Sequence, residues 1–145
     1  MWKIEVMNTS KEPHWVLLGN FQDHRGFMGT LEDHRLPFEV SRTFWISKVP
    51  DNTVRGGHAH RTSQQLLICI TGIIEVELEG LSGIKHEFQL SPTSHRGLYL
   101  PPLFWGYYTF KEQAVALCMA SDYFNESDYI RNYREFERLK HADRC

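Results

Sequence analysis

The segment Ile73-Ile74-Glu75-Val76-Glu77-Leu78-Glu79 alternates apolar and acidic side chains with a period of two. Successive side chains of a strand point to opposite faces, so Ile74, Val76 and Leu78 belong to a dry face and the glutamates to a wet one. The preceding run, Leu66-Leu67-Ile68-Cys69-Ile70, is apolar throughout, as expected of a strand covered on both faces. Thr71-Gly72 lies between them, and the pair is predicted to form a hairpin. From about Phe27 to Met119 similar short β-rich runs recur, divided by Gly, Pro, Asp and Asn. Thr43 to Lys48, Lys85 to Leu90, Gly97 to Leu100, Tyr107 to Phe110 and Ala114 to Met119 are the further candidates. This rhythm is that of an all-β sandwich or barrel.

Beyond Met119 the period changes. Tyr129, Ile130, Tyr133, Phe136 and Leu139 recur at helical spacing, and Asn125 or Ser127 can cap the start, which predicts one terminal helix packed against the barrel. The 145 residues suit one domain, with the barrel over about 21–125 and the helix over about 126–140. The first twenty residues are too irregular to assign.

Composition excludes several functions. Sixteen basic against eighteen acidic residues give a net charge of -2, and no basic run tracks a phosphate backbone, so no nucleic-acid partner is expected. The start Met1-Trp2-Lys3-Ile4-Glu5-Val6 lacks a secretory apolar core, and no apolar run approaches the length of about 18 residues that spans a bilayer. No membrane partner and a cytoplasmic location are the expectation. Cys69, Cys118 and Cys145 show no metal spacing, and the first two sit in apolar runs where a thiol acts as a small hydrophobe.

The chemistry concentrates in Arg55-Gly56-Gly57-His58-Ala59-His60-Arg61-Thr62-Ser63-Gln64-Gln65. In a strand, His58 and His60 share a face, about 7 Å apart at the backbone, while Ala59 points away. Two imidazoles in one cavity can accept and return a proton near neutral pH. A His-x-His pair also holds metal in many small barrels of the cupin type. That pattern adds a carboxylate four or five residues later and a histidine in a later strand. Here those places hold Gln64, Gln65 and Gly106, so acid–base chemistry without a metal fits better.

Other segments fall into order around the pair: Asp23-His24-Arg25-Gly26; Leu36-Pro37-Phe38 leading to Arg42-Thr43-Phe44-Trp45-Ile46; Arg55 to His60 with Gln65; and Ser121-Asp122-Tyr123 through Asp128-Tyr129-Ile130-Arg131. In these the chain resembles the WxcM-like cupin family of sugar-nucleotide 3,4-ketoisomerases, which act on dTDP-4-dehydro-6-deoxyglucose in the biosynthesis of 3-aminosugars for surface polysaccharides, such as the O-antigen of lipopolysaccharide, and for antibiotics. The resemblance implies a cupin jelly-roll barrel, a homodimer, a dTDP-linked keto-sugar as substrate and no cofactor. Carried over by position, it places the catalytic pair on His58 and His60 and a substrate-binding arginine on Arg42. It adds Arg55 and Gln65 at the site. Apart from the resemblance, thymine suits a flat apolar surface, and Trp105 is the candidate for it. Two departures stand out: Gly106, where the family often has histidine, and Ser41, where lysine commonly precedes the arginine.

The expected reaction begins with removal of the C3 proton, acidified by the C4 carbonyl, and ends with protonation of C4 after an enediolate. Epimerisation beside the carbonyl begins with the same abstraction. A noncatalytic sugar-nucleotide-binding protein and a metal-dependent oxygenase are the readings from other classes.

Overall fold

The computed structural model describes residues 12–144; Met1 to Val6 and Cys145 lie outside the described residues. Two long antiparallel strands run through the whole fold, β6 (Gln65–Glu79) and β9 (Trp105–Ala120), paired from Gln65↔Ala120 to Glu79↔Trp105. The hairpin expected at Thr71-Gly72 is therefore absent: Leu66–Ile70 and Ile73–Glu79 are two halves of one bent strand. Gly72 adopts φ +77, and a Cβ there would stand 2.5 Å from the Cα of Ala114. Opposite it, Glu112 and Gln113 both adopt φ 55, so the partner strand bends at the same level. A Thr-Gly pair signals a sharp change of direction, and here that change is a corner between sheets rather than a chain reversal. The separately predicted strands Tyr107–Phe110 and Ala114–Met119 merge into β9 for the same reason.

The corner lets each long strand serve two faces. Gln65 to Leu67 pair with β8 (Arg96–Leu100), which pairs with β1 (His14–Leu17), while residues 116–120 of β9 pair with β4 (Arg42–Ile46). Beyond the corner, Ile74 to Glu79 pair with β7 (Lys85–Leu90), and Gly106 to Phe110 pair with β5 (Thr53–His60). A separate hairpin joins β2 (Gly19–Asp23) to β3 (Gly26–Thr30). The result is the curled sheet of a cupin jelly roll. The predicted alternation holds, since Ile74, Val76 and Leu78 are buried between the exposed Glu75 and Glu77. Leu66 and Leu67 are buried on opposite faces, in two different apolar clusters.

At the C-terminal end, the structure corrects the helix start. Asn125 accepts a hydrogen bond from the Ser127 amide, but it caps only a short 3-10 turn, Glu126–Asp128. Tyr129 and Ile130 then form β10 against His60 and Ala59. The helix, α1 (Tyr133–Asp143), begins after Asn132, whose side chain accepts from the Arg134 amide. Tyr129 and Ile130 fit a helical period by spacing, but strand pairing to β5 takes precedence and buries Ile130 completely. Phe136 and Leu139 pack on Ala59, Trp105 and Ile130, the barrel contact expected of the stripe.

Candidate active site

Gly56 and Gly57 set the geometry of β5. Pairing with β9 runs from Thr53↔Phe110 to Gly56↔Tyr107 and resumes at His58↔Gly106, leaving one extra residue as a bulge. Both glycines have positive φ, +92 and +74, and a Cβ on Gly56 would lie 2.5 Å from the Gly106 carbonyl oxygen. The bulge shifts the strand's alternation by one residue. As a result Arg55, rather than Val54, lines the same cavity as His58 and His60, and Val54 faces solvent.

That cavity, about 400 Å³, opens inside the curled sheet. The expected residues His58, His60, Arg42, Arg55 and Gln65 all line it. The two imidazole rings lie 5.2 Å apart and nearly perpendicular. His60 Nδ1 is 2.9 Å from Asp128 Oδ2, with only 12% and 9% of the two side chains exposed. The Gln65 amide nitrogen is 3.3 Å from His60 Nε2. An amide donor on Nε2 leaves the ring proton on Nδ1, where Asp128 accepts it. Asp128 is itself fixed by the Thr62 amide at 2.8 Å and the Thr62 hydroxyl at 3.0 Å.

Burial, then the neighbouring His60 and Arg131, push the His58 imidazole down to about 4. Burial likewise lowers His60, although its hydrogen bond to Asp128 works in the opposite direction. Burial would raise Asp128, but the hydrogen bonds from Thr62 and His60 outweigh it and hold the carboxyl below its ordinary value. At neutral pH the site therefore holds two neutral imidazoles and one carboxylate.

The positive groups are placed differently. Arg42 lies over the rings of Phe44 at 4.6 Å and Phe124 at 5.5 Å. Its Nε is buried with no hydrogen-bond partner among the described residues. Such a cation suits an anionic ligand or a developing oxyanion. Arg131 is held by Glu126 at 2.5 and 3.1 Å and covers the Tyr129 ring. Tyr129 in turn lies 4.4 Å from the His60 ring and 5.1 Å from that of His58.

Trp105, expected to bind substrate, does not line this cavity. It is 4% exposed and packs on Tyr133 and Phe136, on the opposite side of β9 from Gly106. Sequence reasoning missed Asp128, Tyr129 and Arg131 as site residues. Their motif was visible, but their partners lie far away in the chain, and only β10 pairing with β5 brings them together. Among the described residues, no group of three or more His, Cys, Asp and Glu side chains is placed to hold a metal ion.

Comparison with known proteins places this cavity in context. Residues 11–141 match the family described as "FdtA: WxcM-like, C-terminal". A TDP-4-oxo-6-deoxy-alpha-D-glucose-3,4-oxoisomerase from Aneurinibacillus thermoaerophilus is 34% identical over 118 residues, 80% of this chain and 84% of that protein. The crystal structure of QdtA, a sugar 3,4-ketoisomerase from Thermoanaerobacterium thermosaccharolyticum in complex with TDP, superposes with a TM-score of 0.83 at 30% identity, covering 90% of this chain and 96% of that one. A 3,4-ketoisomerase from Helicobacter canadensis gives 0.82 at 31% identity, with 90% and 98% covered.

Proposed function

The chain belongs to the WxcM-like, C-terminal (FdtA) family, and we propose that it is a sugar-nucleotide 3,4-ketoisomerase converting a dTDP-4-keto-6-deoxyhexose to its 3-keto isomer. The observation that carries this reading is the pair of neutral imidazoles facing one cavity, one of them oriented by a buried carboxylate. One imidazole takes the C3 proton, and its bonding pair forms the C3=C4 double bond as charge moves to the C4 oxygen. The imidazole pair then delivers a proton to C4 while the hydroxyl proton of O3 passes to O4, and the bonding pair left on O3 forms the carbonyl at C3. The change is internally redox-neutral, so proton transfer and charge stabilisation suffice. Asp128 makes His60 the ring better able to hold an added proton. Arg42 stabilises negative charge from within the cavity, Gln65 fixes the His60 tautomer, and Arg55 binds substrate from the bulged strand.

The protein acts as a homodimer in this proposal. Phe21, Phe27 and Met28 of the β2–β3 hairpin, together with Leu17 and Trp45, are exposed apolar side chains that a second copy would cover. Its location is cytoplasmic, where nucleotide sugars are assembled, and no nucleic-acid or membrane partner is required. Among the described residues, no helix is long and apolar enough to cross a membrane.

The test is product analysis by NMR after incubation of purified protein with dTDP-4-dehydro-6-deoxyglucose. Conversion to the 3-keto sugar, abolished in His58→Asn and His60→Asn, is expected. Nucleotide binding without any product would favour a noncatalytic binding protein, and inversion at carbon with the carbonyl unmoved would favour an epimerase.

A further inference from the structure

Asp128 has a competitor for one of its hydrogen bonds. The 61–64 loop between β5 and β6, residues 121–122 after β9 and the 3-10 turn ending at Asp128 meet behind His60, outside the catalytic cavity. There the Thr62 hydroxyl stands 2.7 Å from Asp122 Oδ2 and 3.0 Å from Asp128 Oδ1. A hydroxyl carries a single proton and serves one of the two carboxylates at a time. We propose that Asp122 is a positioning residue of the active site: by drawing the Thr62 proton away from Asp128, it keeps Asp128 the stronger acceptor for His60 and favours the imidazolium that forms when His60 takes a proton. This rests on the ketoisomerase reading above.

The contacts of Asp122 suit it to hold that proton. The Ser121 hydroxyl donates to Asp122 Oδ1 at 2.9 Å and accepts from the Gln64 amide at 2.8 Å, while the Gln64 side chain accepts from the Tyr99 hydroxyl at 2.6 Å. One oxygen of Asp122 is thereby tied to the barrel, and the other faces Thr62. Asp122 lies closer to the hydroxyl than Asp128 does, and Asp128 Oδ1 already accepts from the Thr62 amide at 2.8 Å. Both facts favour donation to Asp122.

His60 depends on the outcome. Burial and the charges of Arg42 and Arg131 disfavour a proton on its ring, and the hydrogen bond and charge of Asp128 favour it. A Thr62 hydroxyl that donates to Asp128 stabilises the carboxylate and lowers its pKa, which weakens it as the partner of His60 Nδ1, 2.9 Å away. With the hydroxyl turned to Asp122, Asp128 Oδ1 keeps the Thr62 amide and Oδ2 gives more to His60.

Asp122→Asn keeps the volume and both contacts, its oxygen accepting from Thr62 and its NH2 meeting Ser121 Oγ, but a neutral acceptor competes less well than a carboxylate. The Thr62 proton then turns to Asp128. Thr62 is exposed and water competes for the same carboxylates, so kcat is expected to fall about three- to tenfold while KM changes less than about twofold. The loss should disappear in combination with Thr62→Val and persist with Thr62→Ser, which keeps the hydroxyl, because it reaches His60 through that one proton. A second readout is the ¹H chemical shift of the His60 Nδ1 proton, which moves downfield as its acceptor strengthens. It is expected to move upfield in Asp122→Asn and not to move upfield in Thr62→Val, whereas loosened packing would move both the same way. An unchanged kcat in Asp122→Asn, an equal loss when Thr62→Val is present, or an upfield shift in Thr62→Val would overturn this role for Asp122. If the wild type makes no 3-keto product, the ketoisomerase reading falls, and the two shifts still decide whether Asp122 acts on His60.

Discussion

Replacing Asp128 by Asn removes one charge and almost no volume, and its effect follows from the contacts. The Asn oxygen can still accept from the Thr62 amide, as Asp128 Oδ1 does at 2.8 Å. The atom facing His60 Nδ1 at 2.9 Å then becomes an NH2 donor. His60 must place its lone pair on Nδ1 and its proton on Nε2, where it meets the donating Gln65 amide. A hydrogen bond to a charged group is worth about 1.5–3 kcal/mol. Little solvent screens this one, since both side chains are nearly buried. If that stabilisation is realised when His60 takes up a proton, kcat falls about 10- to 150-fold at neutral pH. KM should change little, because Asp128 does not face the cavity. Steady-state kinetics measures the loss, and ¹⁵N chemical shifts of His60 report the tautomer. A kcat within twofold of wild type, or a ring still protonated on Nδ1, would refute the argument.

Other predictions test the remaining parts. Because burial holds both imidazoles below the ordinary histidine value and a base works only when neutral, kcat/KM should stay level as pH falls through 6.5 and decline only below it; a pH–rate profile with an acid limb at or above 6.5 would contradict this. The same depression makes the unfolded chain the better proton acceptor, so stability present above 6.5 is lost as pH falls toward 4, by about 3 kcal/mol through His58 alone. Thermal melts of the wild type against His58→Asn would show a smaller acid-side loss in the variant. Gly56→Ala forces a Cβ to 2.5 Å from a carbonyl at φ +92, so a loss of about 2 kcal/mol or more and misplaced histidines are expected, read by denaturant unfolding and kcat. Trp105→Phe should cost about 1 kcal/mol of stability and leave KM within twofold, since the indole packs under the helix rather than in the cavity.

Local periodicity carried much of the barrel. The alternation through Ile74, Val76 and Leu78 read directly as one-sided burial, and the apolar run before it as two-sided burial, which the structure shows for Leu66 to Cys69 but not for Ile70, half exposed where the strand bends. It could not separate a turn from a corner: Thr71-Gly72 satisfies either, and the choice is made by β9, which bends alongside it. β1 and the β2–β3 hairpin were illegible because short strands of mixed polarity carry no clear period. At the site, His58 and His60 were legible because they are adjacent on one strand. Arg42, Arg55 and Gln65 came from positional resemblance and reach the cavity from three strands. Asp128 was not, since its role exists only through a pairing that spans 68 residues of chain. Trp105 was misplaced by one step of alternation, Gly106 holding the inward position beside His58.

The most direct test of the account is proton NMR of dTDP-4-dehydro-6-deoxyglucose with the purified protein in deuterated buffer. The account predicts loss of the C3 proton signal and a 3-keto product bearing hydrogen isotope at C4, both at least 100-fold slower in His60→Asn. An unchanged C3 signal in the presence of bound nucleotide would contradict it.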